Sequence, residues 1–280
     1  MSGGSAPAAA RRTLAPFGRR VAPVTAVEQV GAYTVVSACD SDGPRDPRPG
    51  QFYMLSAQER WGGGADERPY LPRAFSFARI RGDGTLDFML EAIGPGTQRL
   101  AELEPGEGLG LVGPLGIGFD VGPAGGPRAL LVGGGIGAAP LVALQDELGP
   151  QARVLLGFRS AAHAEASGLF FAGDPLVVTD DGSVGRQALV TELLREELDR
   201  DPNATIYACG PPPMLEAVRA LAAERDVPAQ LALESGMACG YGACFGCVVP
   251  TRDGYKRLCV DGPVLDAAEL ETALIAGTGH

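Results

Sequence analysis

Four cysteines fall in one short stretch of the chain, Cys239, Cys244, Cys247 and Cys259, with the spacing C-x4-C-x2-C-x11-C. Thiolates are soft ligands that suit iron–sulfur clusters and zinc. Three close cysteines with a distant fourth is the plant-type [2Fe–2S] spacing. Gly240, Gly242 and Gly246 lie between the first three ligands, where tight turns and inward-pointing N–H groups are needed. The rival is a structural zinc, which commonly uses two close pairs. Two disulfides would be out of place in a reducing compartment. Cys39 and Cys209 stand alone. Cys39 reads as a small buried hydrophobe. Cys209 ends a strand just before Gly210, where α/β sheets bind ligands; it faces a cofactor or is a second buried thiol.

A glycine run follows an apolar strand: LLVGGGIGAAP places Gly133, Gly134, Gly135 and Gly137 between strand and helix, and Gly133, Gly135 and Ala138 fit G-x-G-x-x-A. Such a loop brings a diphosphate to a helix N-terminus. The acid expected after the next strand, for a ribose 2′-hydroxyl, is missing. Arg159 stands there, a residue able to take a 2′-phosphate or to remain a solvated turn, so NADH and NADPH both stay open.

A nicotinamide gives up two electrons as hydride and a [2Fe–2S] cluster takes one, so a chain with both sites needs a flavin between them. The tetrapeptide Arg73-Ala74-Phe75-Ser76 offers an arginine for a diphosphate, a ring to pack on a flavin and a hydroxyl for its edge; an alternating strand would read the same way. Further on, Gly96-Thr97 opens a short helix expected over 97–102, with Thr97 as N-cap and a helix start suited to phosphate.

The elements that must carry these residues divide the chain. Residues 1–19 hold arginines and no acid and read as a disordered tail. Residues 20–122 give short strands separated by Gly- and Pro-rich turns, an antiparallel β-barrel or sandwich. Residues 123–230 alternate strand and helix, the pattern of a parallel α/β sheet. Val190, Leu193, Leu194 and Leu198 share one helix face there, with Glu192, Arg195, Glu196 and Glu197 on the rest. Residues 231–280 are too few for an apolar core of their own and are expected to fold only around iron.

The net charge of −11 disfavours a nucleic-acid binder. The longest uncharged run, 129–145, is too short and too broken for a membrane span. The chain reads as cytoplasmic. The histidines His163 and His280 are placed in a solvated loop and at the last residue, so general acid–base catalysis is not expected.

With these residues in place, the chain resembles the electron-transfer subunits of NAD-dependent dihydroorotate dehydrogenases, within the ferredoxin–NADP reductase superfamily. The likeness covers about residues 20–270. Arg73-Ala74-Phe75-Ser76 is similar to that family's Arg-Pro-[Phe/Tyr]-Ser flavin motif, with Ala74 in place of proline. Gly96-Thr97 resembles its phosphate site, with Leu90 and Glu91 nearby. VGPLGIGF (112–119) resembles its barrel end. VGGGIGAAPL (132–141), TDDGSVG (179–185, with Asp180) and YACGPPPML (207–215, with Cys209 and Gly210) resemble its nicotinamide motifs, and ESGMACGYGACFGCVVP (234–250) its cluster loop.

The resemblance implies FAD, a [2Fe–2S] cluster on the four cysteines and NAD. It implies a separate FMN-containing catalytic subunit that oxidises dihydroorotate in pyrimidine synthesis, and assembly as a heterotetramer. Related diaphorase subunits of sulfhydrogenases and of ferredoxin-dependent NADP reductases share the three modules and remain the alternative. A zinc-stapled binding module without flavin is the rival of a different class.

Overall fold

The computed structural model describes residues 18–62, 70–122 and 126–275. Residues 1–17 of the expected tail lie outside it; Gly18 and Arg19 already belong to the first strand, paired with Gly113 and Val112. The first half contains β1 (Gly18–Val30), β2 (Tyr33–Cys39), β3 (Phe52–Ala57), β4 (Arg73–Ser76), β5 (Arg79–Ile80), β6 (Thr85–Leu90), a short helix α1 (Pro95–Ala101) and β7 (Gly108–Leu115). The strands form one antiparallel sheet in the order β4-β3-β7-β1-β2-β6-β5. It curls into an open barrel around Tyr53, whose ring meets Phe77 and Phe88 edge to face at 6.4 and 5.6 Å.

The strand period of two explains why YTVVSAC and TLDFML are apolar or buried almost throughout. Val36, Ala38, Leu86, Phe88 and Leu90 point into the barrel core. Their neighbours Tyr33, Val35 and Met89 point the other way, into a core shared with the second half.

That second half contains β8 (Arg128–Gly134), α2 (Ala139–Leu148), β9 (Arg153–Phe158), α3 (Ala161–Ala164), β10 (Leu176–Thr179), β11 (Arg186–Gln187), α4 (Val190–Arg200), β12 (Ala204–Cys209), α5 (Pro212–Arg225) and β13 (Ala229–Ala232). The chain then adds the hairpin β14 (Val248–Thr251) and β15 (Gly254–Arg257), the turn of helix α6 (Leu258–Asp261), and β16 (Val264–Asp266). The sheet order is β11-β10-β9-β8-β12-β13-β16, parallel through β13 and antiparallel only at β16.

Two details depart from expectation. The β13 strand runs across the expected boundary at 230, and β16 extends the same sheet. The C-terminal segment is therefore built into the nucleotide half, where Val249, Leu258, Leu265 and Leu270 join its core. Glu197, expected on the polar face of α4, has a side chain only 4% exposed. It is held by Arg128 at 2.6 Å, Arg200 at 2.6 Å and Arg153 at 3.5 Å, partners that compensate a buried carboxylate.

Glu216 on α5 ties down the last described residues. It accepts from Arg219 Nη2 at 2.6 Å, from the Ala273 N–H at 2.6 Å and from the Thr272 hydroxyl at 3.0 Å. The Arg219 hydrogen bond leads in holding its carboxyl down at about 2; partial burial opposes this, and Ala273 and Thr272 add to it. A carboxyl with a depressed folded pKa stabilises above its unfolded value, and that contribution is lost as pH falls through the folded one. The Tm difference between wild type and Glu216→Gln is therefore expected to be constant above about pH 5 and to shrink between about pH 4.5 and 2. Thermal melts across that range check it; a difference independent of pH would refute the assignment.

Candidate functional site

The flavin strand lies at the open end of the barrel. β4 pairs with β3, placing Arg73 opposite Leu55 and Ser76 opposite Phe52. Arg73 donates to the Leu71 carbonyl at 2.6 Å and its guanidinium stands 5.8 Å from the Trp61 ring centroid. The same guanidinium lies on the backbone of Gly96: a Cβ there would sit 2.6 Å from Nε and 2.8 Å from Cζ. A glycine is required so that the arginine can reach the start of α1. Phe75 is half-buried and packs on the barrel core, Ala74 is exposed and Ser76 is half-buried. Tyr70, Leu71 and Ile93, near this strand and helix start in sequence, are exposed, which leaves apolar surface for a flavin to cover. These residues fit a flavin diphosphate at Arg73 and Gly96.

Two expectations change here. Helix α1 begins at Pro95 with Gly94 as its N-cap, so Thr97 is not the cap. The Thr97 hydroxyl accepts from the Ile93 and Gly94 N–H groups at 3.0 and 3.1 Å and donates to the Gly94 carbonyl at 3.1 Å. A hydroxyl has one donor and two acceptor sites, so Thr97 is fully used in shaping the turn. Leu90 is fully buried in the barrel core and paired with Thr34 of β2, so its side chain is not open to a ligand.

The nucleotide loop sits at the C-terminal edge of the parallel sheet. Gly135 has φ +55°, a left-handed conformation that glycine adopts at no cost. Gly137 presses on the end of β12, where an added Cβ would lie 2.5 Å from the carbonyl carbon and oxygen of Cys209 and 2.6 Å from the Gly210 Cα. Gly133 and Gly134 are closed in by Leu156 and Met214. The Cys209 thiol is buried, and burial, then the charge of Glu234, raises its pKa; it stays protonated at the edge where a nicotinamide would lie. Asp180 follows β10 on the same edge and is exposed, its N–H donating to Phe158 at 2.9 Å.

Arg159 and Glu91 come together from the two halves: Arg159 Nη2 donates to Glu91 Oε1 at 2.6 Å. His163 completes the group, with Nε2 2.9 Å from the same Nη2 and Nδ1 2.9 Å from Ser160 Oγ. The same Nε2 lies 3.4 Å from Glu91 Oε1. His163 is thus not in a solvated loop. It lies on α3, 16% exposed, edge-on to Tyr33 at 5.5 Å. Sequence reasoning missed Tyr33 and His163. The four-residue spacing of Arg159 and His163 was the available signal, but their acidic partner is 68 positions away from Arg159.

The cluster loop arranges the four thiols as two pairs. Cys247 and Cys259 are buried, with their sulfurs 3.2 Å apart. Burial, reinforced by Cys247, pushes the Cys259 thiol up to about 12. Cys239 and the exposed Cys244 form the other pair. Burial raises the Cys239 thiol, but hydrogen bonds from the Cys244, Tyr241 and Ala243 N–H groups and from the Cys244 side chain outweigh it and bring it down to about 6. Backbone donors aimed at a sulfur are what a thiolate-bound cluster needs. Among the described residues no three His, Cys, Asp or Glu side chains are gathered about a single ion. Two thiol pairs suit a binuclear cluster, which takes two ligands on each iron. Gly240 lies against Met54 of β3 and Leu115 of β7, next to the flavin strand.

A hydride-accepting nucleotide edge, a flavin strand and a thiol loop packed beside it make this a flavin- and iron–sulfur-dependent oxidoreductase built on the ferredoxin reductase plan. The fold agrees: an NADH-dependent reduced ferredoxin–NADP oxidoreductase superposes with TM-score 0.75 over 91% of each chain, at 24% identity. Residues 234–271 match the iron–sulfur cluster binding domain of dihydroorotate dehydrogenase B, which sets the zinc alternative aside. The dihydroorotate dehydrogenase B (NAD+) electron transfer subunit of Geobacillus thermodenitrificans is 42% identical over 79% of this chain and 86% of its own. That of Caldanaerobacter subterraneus is 36% identical over 81% and 88%. The chain belongs to this family of electron transfer subunits.

A guanidinium that meets a flavin diphosphate supplies a charge-assisted contact of about 1.5–3 kcal/mol. Arg73→Ala is expected to weaken FAD binding by about 10- to 100-fold, measured by flavin fluorescence on titrating the flavin-stripped protein. Unchanged affinity would remove Arg73 from the site.

Proposed function

We propose that this chain passes electrons from a separate FMN-containing dihydroorotate dehydrogenase subunit to NAD+, in a heterotetrameric assembly serving pyrimidine synthesis. The observation that carries the reading is the placement of the cluster loop, with one side against barrel strands β3 and β7 and the other at the surface. A bound flavin supplies the exchange between a hydride's electron pair and the single electrons of an iron–sulfur cluster. The protein's part is alignment. Arg73 and Gly96 seat the flavin diphosphate, the Gly133–Gly137 loop seats the nucleotide, and Cys209, kept neutral, closes the nicotinamide edge without offering charge.

The partner would dock on the outer side of the loop. Cys244 and its neighbours Tyr241 and Phe245 are exposed there, and Tyr255 of the β14–β15 hairpin is 80% exposed. Phe245 is held outward with φ +58° and lies 5.2 Å under the Arg257 guanidinium. Aromatic and arginine side chains are the usual anchors of such interfaces. Phe245→Asp is expected to weaken copurification of the FMN subunit by about 30-fold or more while cluster absorbance stays. The reading as a whole is tested by turnover. The purified chain should be reduced by NADH yet convert no dihydroorotate until the FMN subunit is added; conversion by the chain alone would overturn it.

A further inference from the structure

We propose that the chain carries a second small-molecule site, at the edge of the parallel sheet opposite the nucleotide loop, for a monoanion that joins a carboxylate to an amide edge. The strands enter the sheet there. Arg128 and Arg153 are the first residues of β8 and β9, and Asp174 lies just ahead of β10. With Gln145 of α2, and with Glu197 and Arg200 at the end of α4, they line a cleft of about 360 Å³. That volume is at the lower end of the range for ligand sites. None of these residues belongs to the flavin strand, the glycine loop or the cluster loop, so the site stands whether or not the relay does.

Two orphaned groups point to a ligand. Gln145 is fully buried, and among the described residues neither its amide nitrogen nor its amide oxygen meets a hydrogen-bond partner. Its Nε2 faces Gly173 on the cleft wall, 3.8 Å from where a Cβ would stand there. A buried amide left unpaired is costly, and this one borders a cleft with room for its partner. Arg128 Nε is the second: it is buried without a hydrogen bond, 3.7 Å from Asp201 Oδ2. Arg153 approaches Glu197 with Nε, at 3.5 Å, which leaves its planar fork for another acceptor.

Charge and donor pattern select the ligand. Arg128, Arg153 and Arg200 against Glu197 and Asp174 leave one positive charge along the wall. A monoanion balances it, whereas a dianionic phosphate would also meet the two carboxylates. A carboxylate matches an arginine fork with two parallel hydrogen bonds. Gln145 offers a donor and an acceptor side by side, and the group that returns both is another amide edge, N–H beside C=O. Arginine and amide share one cleft, so one molecule carries both groups.

Orotate has a carboxylate and an N–H/C=O edge on one ring and is the probe; uracil has the edge alone and benzoate the carboxylate alone. Calorimetry is run on the full chain with its flavin and cluster, without the FMN subunit, whose own site would add heat. It is expected to show one orotate site, with uracil and benzoate each at least about tenfold weaker. Gln145→Leu should weaken orotate about tenfold, and Arg153→Ala by about 10- to 100-fold. Without ligand, Gln145→Leu should also melt higher than wild type, because the orphaned amide is gone, and it should gain less Tm from orotate. Should that variant not fold, Arg153→Ala, at a side chain 36% exposed, and the two half-ligands carry the test. No heat with orotate, or orotate held no better than benzoate, would overturn the proposal. Orotate binding unchanged in Arg153→Ala would place the ligand elsewhere and overturn it as well.

Discussion

Replacing Cys244 by serine is expected to remove the cluster absorbance and cut electron flow to the partner by at least about 100-fold, while FAD stays bound and NADH still reduces an artificial dye. Cys247→Ser should lose the same absorbance and also destabilise the fold. The difference comes from burial. Cys244 is exposed, so its loss costs a ligand and little packing. Cys247 is 2% exposed and shares a core with Val249, Leu258 and Cys259. A serine there brings a hydroxyl into an apolar site, at a cost of about 1–3 kcal/mol. Visible spectra, dye reduction and melting curves of the two variants separate these effects. Equal melting temperatures would mean that the C-terminal segment is held by the metal alone, as the sequence suggests; loss of FAD from Cys244→Ser would mean the two sites are not separable.

The second large effect concerns Gly137. An alanine methyl would fall 2.5 Å from backbone atoms of Cys209 and 2.6 Å from the Gly210 Cα. Backbone at the ends of two paired strands cannot swing aside as a side chain would. Gly137→Ala is expected to cost about 1–3 kcal/mol, which lowers Tm by about 2–10 °C for a domain of this size. It should also raise the KM for NADH, because the loop and the end of β12 are pushed apart where the nucleotide binds. Gly168→Ala is the control: an added Cβ there has nothing within 4 Å. If Gly137→Ala melts and turns over like that control, the close approach of the Gly137 loop to the end of β12 is not as described.

Much of this was legible in the chain. The helix over 212–225 appears where its proline-started pattern predicts it, and the buried stripe Val190, Leu193, Leu194 and Leu198 lies as its spacing requires. The cysteine spacing located the cluster loop because thiolate geometry constrains neighbouring residues directly. What was illegible depends on contacts between distant segments. The burial of Glu197 needs Arg128 and Arg153, each supplied by the first residue of a strand. The seating of the C-terminal segment needs β16 to find the edge of β13. His163 looked solvated because its partners Glu91 and Tyr33 come from the barrel. Thr97 was misplaced by three positions in role, at N3 rather than at the cap, since Pro95 is a better first residue of a helix than threonine is a cap.

Phe52, Met54 and Leu115 of the barrel lie in one core with the nucleotide sheet and with Cys247 and Cys259. Arg79 grips Asp146 across the same junction at 2.6 Å, and the Ala32 N–H donates to the Ala162 carbonyl at 2.9 Å. Flavin strand, nucleotide loop and cluster thiols are thereby joined, among the described residues, by one continuous set of packed contacts. Electrons crossing it travel a wire of fixed length rather than a swinging arm, so thickening the solvent should leave the internal transfers untouched and slow only the comings and goings of nucleotide and partner.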